Sequence, residues 1–330
     1  MALTDSFGRT ATDLRVSLTD RCNLRCSYCM PEQGLEWLPK PELLTDDEVV
    51  RLVSLAVDRL GITEVRFTGG EPLLRRGLPA IVEQVAALEP RPEVSLTTNG
   101  IGLDRLAVPL QVAGLNRINV SLDTLTPEVF IRLSRRDRLD DVLKGLVTAT
   151  EAGLAPVKVN TVLMRGVNDH EAADLLRFCL AHGYQLRFIE QMPLDAQHGW
   201  RRSEMVTAEE ILAALGTEFS LEPADPGERG SAPAETFLID GGPQTVGIIG
   251  SVTRPFCGVC DRIRLTADGQ LRNCLFATAE NDLRTPLRAG ASDDELTVQW
   301  ERCIAAKLPG HGINDPGFLQ PARPMSAIGG

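Results

Sequence analysis

The 330-residue chain has only four histidines, at positions 170, 182, 198 and 311, and none suggests a paired Ser–His or Cys–His nucleophile. It has no Gly-x-x-x-x-Gly-Lys-Ser/Thr run, so any nucleotide it binds is not held as in switch GTPases. No stretch approaches the roughly 20 uninterrupted apolar residues of a membrane-spanning helix. The opening segment, Met1 to Ser6, shows neither a basic region nor an apolar core, so a secretory signal is not expected. Basic residues are in deficit, 34 Lys and Arg against 45 Asp and Glu, giving a net charge of −11 and a pI near 5.0. That balance argues against a nucleic-acid partner, which would need a basic face, while leaving room for a local basic pocket. These absences lead us to expect a cytoplasmic protein with no membrane partner. With 43% hydrophobic residues it can bury a sizeable core, as one large domain with an elaboration or as two domains.

What the chain does have is cysteine in groups. In a reducing compartment clustered thiols read as metal ligands. Cys22, Cys26 and Cys29 fall within eight residues. Three thiolates can hold a [4Fe–4S] cube and leave one iron open, whereas four make an electron carrier. Tetrahedral zinc would need a fourth ligand, and the nearest histidine in sequence is His170. A second group, Cys257, Cys260 and Cys274, comes together if the chain turns back as a hairpin at Ala267-Asp268-Gly269. A two-residue Asp268-Gly269 loop would send Arg262 and Arg264 to the face opposite Cys274. A type I turn with Gly269 in the left-handed bulge position pairs Thr266 with Gln270 and sets Cys274 across from Arg262. The bulged register is the expected one, because it gathers thiol and guanidiniums on one face. Zinc completed by Cys303 or His311 remains open here. Cys179 and Cys303 lie in apolar helical runs and are expected in the core.

Between residues 14 and 192 short β-branched runs alternate with helical patterns, which predicts βα units around a parallel sheet. The expected strands are Leu14–Leu18, Glu64–Thr68, Glu93–Thr97, Arg117–Ser121, Val157–Leu163 and Gln185–Glu190. Polar and glycine residues follow strand after strand, at Gly69-Gly70, Thr98-Asn99-Gly100, Asp123 and Gln191-Met192, the edge where ligands sit in such sheets. Beyond residue 192 we expect a helix at Thr207–Leu215, a mobile loop over Glu222–Gly230, strands at Glu235–Asp240 and Thr245–Ser251, and a helix at Asp294–Lys307. The fold class is therefore α/β, a partial (β/α)6-type barrel over residues 1–220. A smaller C-terminal α+β layer over 221–330, carrying the second cysteine group, is expected across the open side.

The run Cys22-x-x-x-Cys26-x-x-Cys29, with Tyr28 before the last cysteine and Gly69-Gly70-Glu71-Pro72 about forty residues later, resembles the radical S-adenosylmethionine (AdoMet) superfamily. Cys257-x-x-Cys260 with Cys274, the run Cys260-Asp261-Arg262-Ile263-Arg264-Leu265 and the terminal Gly329-Gly330 extend the resemblance to that superfamily's GTP cyclases of molybdenum-cofactor biosynthesis. The resemblance implies two [4Fe–4S] clusters, one on each cysteine group, with AdoMet on the first and the guanine of GTP on the second. It implies AdoMet contacts at Tyr28, Gly70, Ser121 and Met192, and GTP contacts at Arg15, Arg66, Thr97, Lys158, Arg262 and Arg264. It further implies a flavodoxin- or ferredoxin-type electron donor, hand-over of product to cyclic pyranopterin monophosphate synthase, and a monomer or homodimer. The resemblance also implies that Glu71 sits in a loop along the methionine amino group and is not a general base, and that the C-terminal tail threads into the cavity.

Five of the six implied GTP residues are cationic, as a triphosphate demands. Arg15, Arg66 and Lys158 each interrupt an apolar strand run, where an unpaired cation is costly. Glu64 stands where related chains often carry a basic residue, which predicts one cation fewer. The alternatives are a radical AdoMet enzyme acting on a peptide and a non-enzymatic iron–sulfur or zinc regulator. The Arg-Ile-Arg run and the terminal glycines argue against the first, and the absence of four-thiolate sites and of a basic face argues against the second.

Overall fold

The computed structural model describes residues 2–225, 227 and 229–329. Six parallel strands form its centre: β1 (Asp13–Ser17), β2 (Glu64–Thr68), β3 (Glu93–Thr98), β4 (Arg117–Ser121), β5 (Val157–Val162) and β6 (Gln185–Ile189). Helices α1 (Asp46–Leu60), α2 (Leu78–Ala86), α3 (Leu103–Val112), α4 (Pro127–Ser134), α5 (Leu139–Glu151) and α6 (Ala172–His182) return the chain between them. α1 shows why such helices form. Thr45 and Glu48 make a reciprocal capping box, Gly61 ends the helix at φ 77°, and Val49, Leu52, Val53, Ala56 and Leu60 give it a buried face. No helix among the described residues is long and apolar enough to cross a membrane.

The C-terminal third departs from the expected layer. After α7 (Ala208–Leu215) it contributes β7 (Leu221–Pro223), β8 (Glu235–Ile239), β9 (Thr245–Ile249), β10 (Arg262–Leu265), β11 (Gln270–Arg272) and β12 (Asn281–Asp282), then α8 (Arg284–Arg288), α9 (Asp293–Ala305) and α10 (Met325–Ile328). Its strands continue the same sheet at both edges, in the order β12-β11-β10-β1-β2-β3-β4-β5-β6-β9-β8-β7. β9 lies parallel to β6, and β10 lies parallel to β1. Among the described residues no pairing joins β12 to β7, so the sheet stays open. The physical reason is edge satisfaction: without β10 and β9, β1 and β6 would leave rows of N–H and C=O groups unpaired.

The segment expected as a mobile loop begins instead with β7, which pairs antiparallel with β8 through Leu221–Ile239 and Pro223–Phe237. Pro223 is tolerated because it lies on the outermost strand. Pro226 and Glu228 of that stretch lie outside the described residues. The β10–β11 hairpin has the bulged register: Arg264 pairs with Arg272, the Thr266 amide donates to Gln270, and Gly269 has φ 78°. β11 stops at Arg272, so Cys274 lies beyond the ladder and is not paired across from Arg262 as expected.

Glu190 fixes the junction between the two parts. Fully buried, its carboxylate accepts from the amides of Ala208 (2.7 Å), Val252 (2.8 Å) and Thr253 (2.8 Å) and from the Thr253 hydroxyl (2.5 Å). Glu190→Ala strands these donors. A loss of about 3 kcal/mol is expected, since each buried unsatisfied group costs roughly 1–3 kcal/mol. A denaturant midpoint unchanged from the parent protein would show that the brace carries no stability.

Candidate functional site

The sheet wraps one cavity of about 340 Å³, within the range of small-molecule sites. All six cysteines of the two groups reach it. Strand register places the groups at opposite ends. Cys22 follows the C-terminal end of β1, whereas Cys260 precedes the start of β10, which runs parallel to β1 with Asp13 beside Arg262.

The first group is held by backbone. The Gly70 amide donates to Thr19 O (2.7 Å) and that of Glu71 to Arg21 O (2.8 Å), docking the cysteine loop on the β2 turn. A Cβ on Gly70 would lie 2.4 Å from the carbonyl oxygens of Arg21 and Asp20, so the loop requires glycine there. On its other side the Arg25 and Ser27 amides donate to Ser134 and Leu133 at the end of α4, both at 2.9 Å. The expected AdoMet positions Tyr28, Gly70, Ser121 and Met192 all line the cavity, three of them just beyond or at the ends of β2, β4 and β6. Tyr28 donates its hydroxyl to Asp123 (2.7 Å), whose other oxygen accepts from the Val162 amide. Burial pushes the Asp123 carboxyl up to about 6, against those two hydrogen bonds. Glu71 is off the cavity wall. It accepts from the Leu73 amide, the Thr98 hydroxyl and the Asn99 amide, so it braces β2 against β3, with burial pushing it up to about 7.

Burial likewise pushes Cys22 up to about 11 and Cys29 to about 12. Sulfur at such sites becomes thiolate when a coordinated cation supplies the missing positive charge. All six cysteines are free thiols, and among the described residues no three His, Cys, Asp or Glu side chains converge closely enough to hold one metal ion. His311 uses one ring nitrogen on Ser251 O and the other to accept from the Ile313 amide, and Cys303 is packed in the core. Three unpaired thiols sharing a cavity wall fit a polynuclear iron–sulfur group. At the second group Lys307 Nζ lies 2.9 Å from Cys260 O and 3.7 Å from its sulfur, and Arg262 Nη1 also lies 3.7 Å from it. Burial works against the Cys260 thiolate, but Lys307 and Arg262 outweigh it and hold that thiol below its usual range.

Between the groups lie the cations. β1, β2 and β10 align Arg15 with Arg66 and with Arg264, and Asp13 with Arg262. These four arginines and Thr97 line the cavity. Burial, partly offset by Asp13, lowers Arg15 to about 9, and burial followed by Arg15 lowers Arg264 to about 9. Lys158 belongs to the same charge cluster but is not on the cavity wall. Burial, then Arg187, Arg117 and Arg66, push it down to about 7.

Sequence reasoning missed two members. Arg187 of β6 lines the cavity, and its signal was the one that picked out Arg15, a cation inside the apolar run Leu186-Arg187-Phe188. Asp13 lies among the arginines at 4% exposure, visible only once β1 is registered against its neighbours. Glu64 does more than omit a cation, because with Glu93 it engages Arg117 at the next position along the sheet. The tail reaches the cavity through Met325 and Ser326 and is tied to the sheet beyond them, where Gly329 O accepts from Arg264 and Ser17 donates to Ile328 O (2.7 Å). Gly330 lies outside the described residues.

Gly70→Ala is expected to displace the cysteine loop and lower bound iron per chain while far-ultraviolet circular dichroism stays at the parent level. Full iron content in that variant would show that the loop does not depend on this close approach.

Residues 16–179 match the radical SAM superfamily, and residues 184–313 match the family described as Molybdenum Cofactor Synthesis C. The GTP 3′,8-cyclase of Streptomyces coelicolor is 67% identical over 328 residues, covering 99% of this chain and 96% of that protein. GTP 3′,8-cyclase 2 of Mycobacterium tuberculosis is 60% identical over 332 residues, covering 99% and 92%. Among solved structures, Streptococcus suis SuiB shares the fold with a TM-score of 0.62 at 13% identity, over 92% of this chain and 68% of that one. Cysteine spacing, the arginines of one cavity and near full-length identity agree, and the chain belongs to the GTP 3′,8-cyclase family of the radical SAM superfamily.

Proposed function

We propose that the protein converts GTP to (8S)-3′,8-cyclo-7,8-dihydroguanosine 5′-triphosphate, the first step of molybdenum-cofactor biosynthesis. The observation that carries this reading is a single cavity with a cysteine triplet at each end and buried guanidiniums between them. In this reading Cys22, Cys26 and Cys29 hold one [4Fe–4S] cluster, and Cys257, Cys260 and Cys274 hold the other. When bound, the clusters and AdoMet would supply the one-electron chemistry that no side chain of the protein offers: removal of the C3′ hydrogen atom of GTP, and, once C3′ has bonded to guanine C8, one electron that with a proton would complete the 7,8-dihydro product.

The chain's own part is placement and exclusion of water. Tyr28, Gly70, Ser121 and Met192 bound the AdoMet end, with Tyr28 fixed by Asp123. Arg15, Arg66, Thr97, Arg262 and Arg264 receive the triphosphate, with Lys158 and Arg187 adding charge. Guanidiniums suit this task because they offer paired donors to phosphate oxygens. The tail borders the same space through Met325 and Ser326, anchored by the bonds of Ile328 O to Ser17 and Gly329 O to Arg264. The electrons would come from a donor of the flavodoxin or ferredoxin type, and the product would pass to cyclic pyranopterin monophosphate synthase.

Cys26→Ala is expected to abolish 5′-deoxyadenosine formation. Cys274→Ala should keep some uncoupled AdoMet cleavage and give no cyclised product, both read by chromatography of anaerobic turnovers. Equal loss of 5′-deoxyadenosine in the two variants contradicts this division of labour. Anaerobic iron analysis should return about eight irons per chain for two cubes.

Lys158 gives a pH signature. Its folded-state value near 7 means the ammonium is present at pH 6 and mostly absent at pH 8, so its attraction for phosphate fades as pH rises. GTP binding at pH 8 should therefore take up a proton, seen as a buffer-dependent calorimetric enthalpy. Affinity should fall between pH 6 and 8 more steeply than in Lys158→Met. Identical pH profiles for the two proteins would remove Lys158 from the site.

A further inference from the structure

Asp13 is an acid shared among several cavity arginines, whereas Asp261 approaches only Arg262, at 3.7 Å, and the geometry of Asp13 is unusual. A single oxygen, Oδ2, lies 3.7 Å from Arg15 Nε, 3.9 Å from Arg66 Nη2 and 3.6 Å from Arg262 Nε. Each is an ion-pair distance and none is a good hydrogen bond. The other oxygen, Oδ1, is buried without a hydrogen-bond partner, and so are Arg15 Nε and Arg262 Nε. An ordinary structural salt bridge closes on its partner in the paired geometry that guanidinium and carboxylate favour. Here one carboxylate is shared by three guanidiniums and satisfies the hydrogen-bonding needs of none. The neighbouring Arg117 shows the contrast: Glu64 and Glu93 both engage it directly, and it is not on the cavity wall.

Arg66 Nε donates to Ser95 and Arg262 Nη2 to Ser231 O, so the partnerless groups are Arg15 Nε and Arg262 Nε. We infer that Asp13 is an internal counter-anion that lets Arg15, Arg66 and Arg262 be buried in the ligand-free protein without binding them in paired hydrogen bonds, so that they can turn to the phosphate oxygens of an incoming polyphosphate. Asp13 is thus a positioning residue. It lowers the mutual repulsion of cations that would otherwise face one another across a low-dielectric cavity. It also repels the ligand it prepares for, so it weakens polyphosphate binding and favours release.

This rests on the reading that a polyphosphate enters the cavity, and the test separates the two. Anaerobically purified, cluster-loaded protein is titrated with inorganic tripolyphosphate. If the parent protein does not bind it, the polyphosphate reading fails. If it does, Asp13→Asn, which keeps the shape and removes the charge, should bind on the order of tenfold more tightly. It should also melt at a lower temperature than the parent without ligand, and saturating tripolyphosphate should narrow that gap. A residue with only a structural role would lower the melting temperature equally with and without ligand and would not raise affinity. Either result, or unchanged affinity, overturns the inference. Should Asp13→Asn fail to fold without ligand, the charge-balanced pair Asp13→Asn with Arg66→Gln should fold. If that pair also fails, the charge argument is wrong.

Discussion

The parallel pairing of β1 with β10 is the contact on which the remainder of the site depends. It joins residues some 250 positions apart and converts two separate sequence motifs into one cavity. Because the pair is parallel, the loop leaving β1, with Cys22, Cys26 and Cys29, and the loop entering β10, with Cys257 and Cys260, emerge at opposite ends, and β11 returns the chain so that Cys274 follows it at the second end. Had the strands paired antiparallel, both cysteine groups would lie at the same end and no space for a substrate would separate them. The register of this one ladder also decides which side chains meet. It sets Arg15 beside Arg264 and Asp13 beside Arg262, and a slip of one residue would turn these groups away from the cavity.

A protein with eleven more acids than bases nonetheless concentrates buried guanidinium in its interior. The sheet tolerates this through local compensation. Arg117 is neutralised by Glu64 and Glu93, Arg272 by Glu280, and Arg323 by Asp268 and Glu280. The cavity arginines are compensated only in part, which matches a site that awaits an anion. Bulk charge thus says little about the interior. It reports the solvent-facing surface, and the strand pattern reports the cavity.

Much of this was readable before folding, and the parts that were not have a common cause. β2 and β4 have the limits their β-branched runs predict, and the helices carry caps written into local sequence, as at Thr45 and Thr207. The bulged hairpin was legible because Gly269 is the residue that can take the left-handed turn position. What was not legible was pairing between distant segments. Nothing in Arg262–Leu265 or Thr245–Ile249 says that one strand joins β1 and the other β6. Asp13 is silent for the same reason, since an aspartate at a strand start reads as a turn residue until its neighbours across the sheet are known. Lys158 shows the limit of a single-residue pattern. A cation inside an apolar strand marked the charge cluster correctly, and the structure sets it behind the cavity wall.

The order in which the chain emerges from the ribosome gives the β1–β10 ladder a further meaning. β1 is the first strand made, yet one of its two hydrogen-bonding edges stays open until residue 265 has been synthesised. Contacts of such long sequence separation form late and slowly, because the intervening chain must be ordered first. The nascent protein therefore passes through a stage in which the half-barrel of β1 to β6 exists and the wall carrying the second cysteine group does not. During that stage the first cysteine loop faces a groove that β10 has not yet bordered.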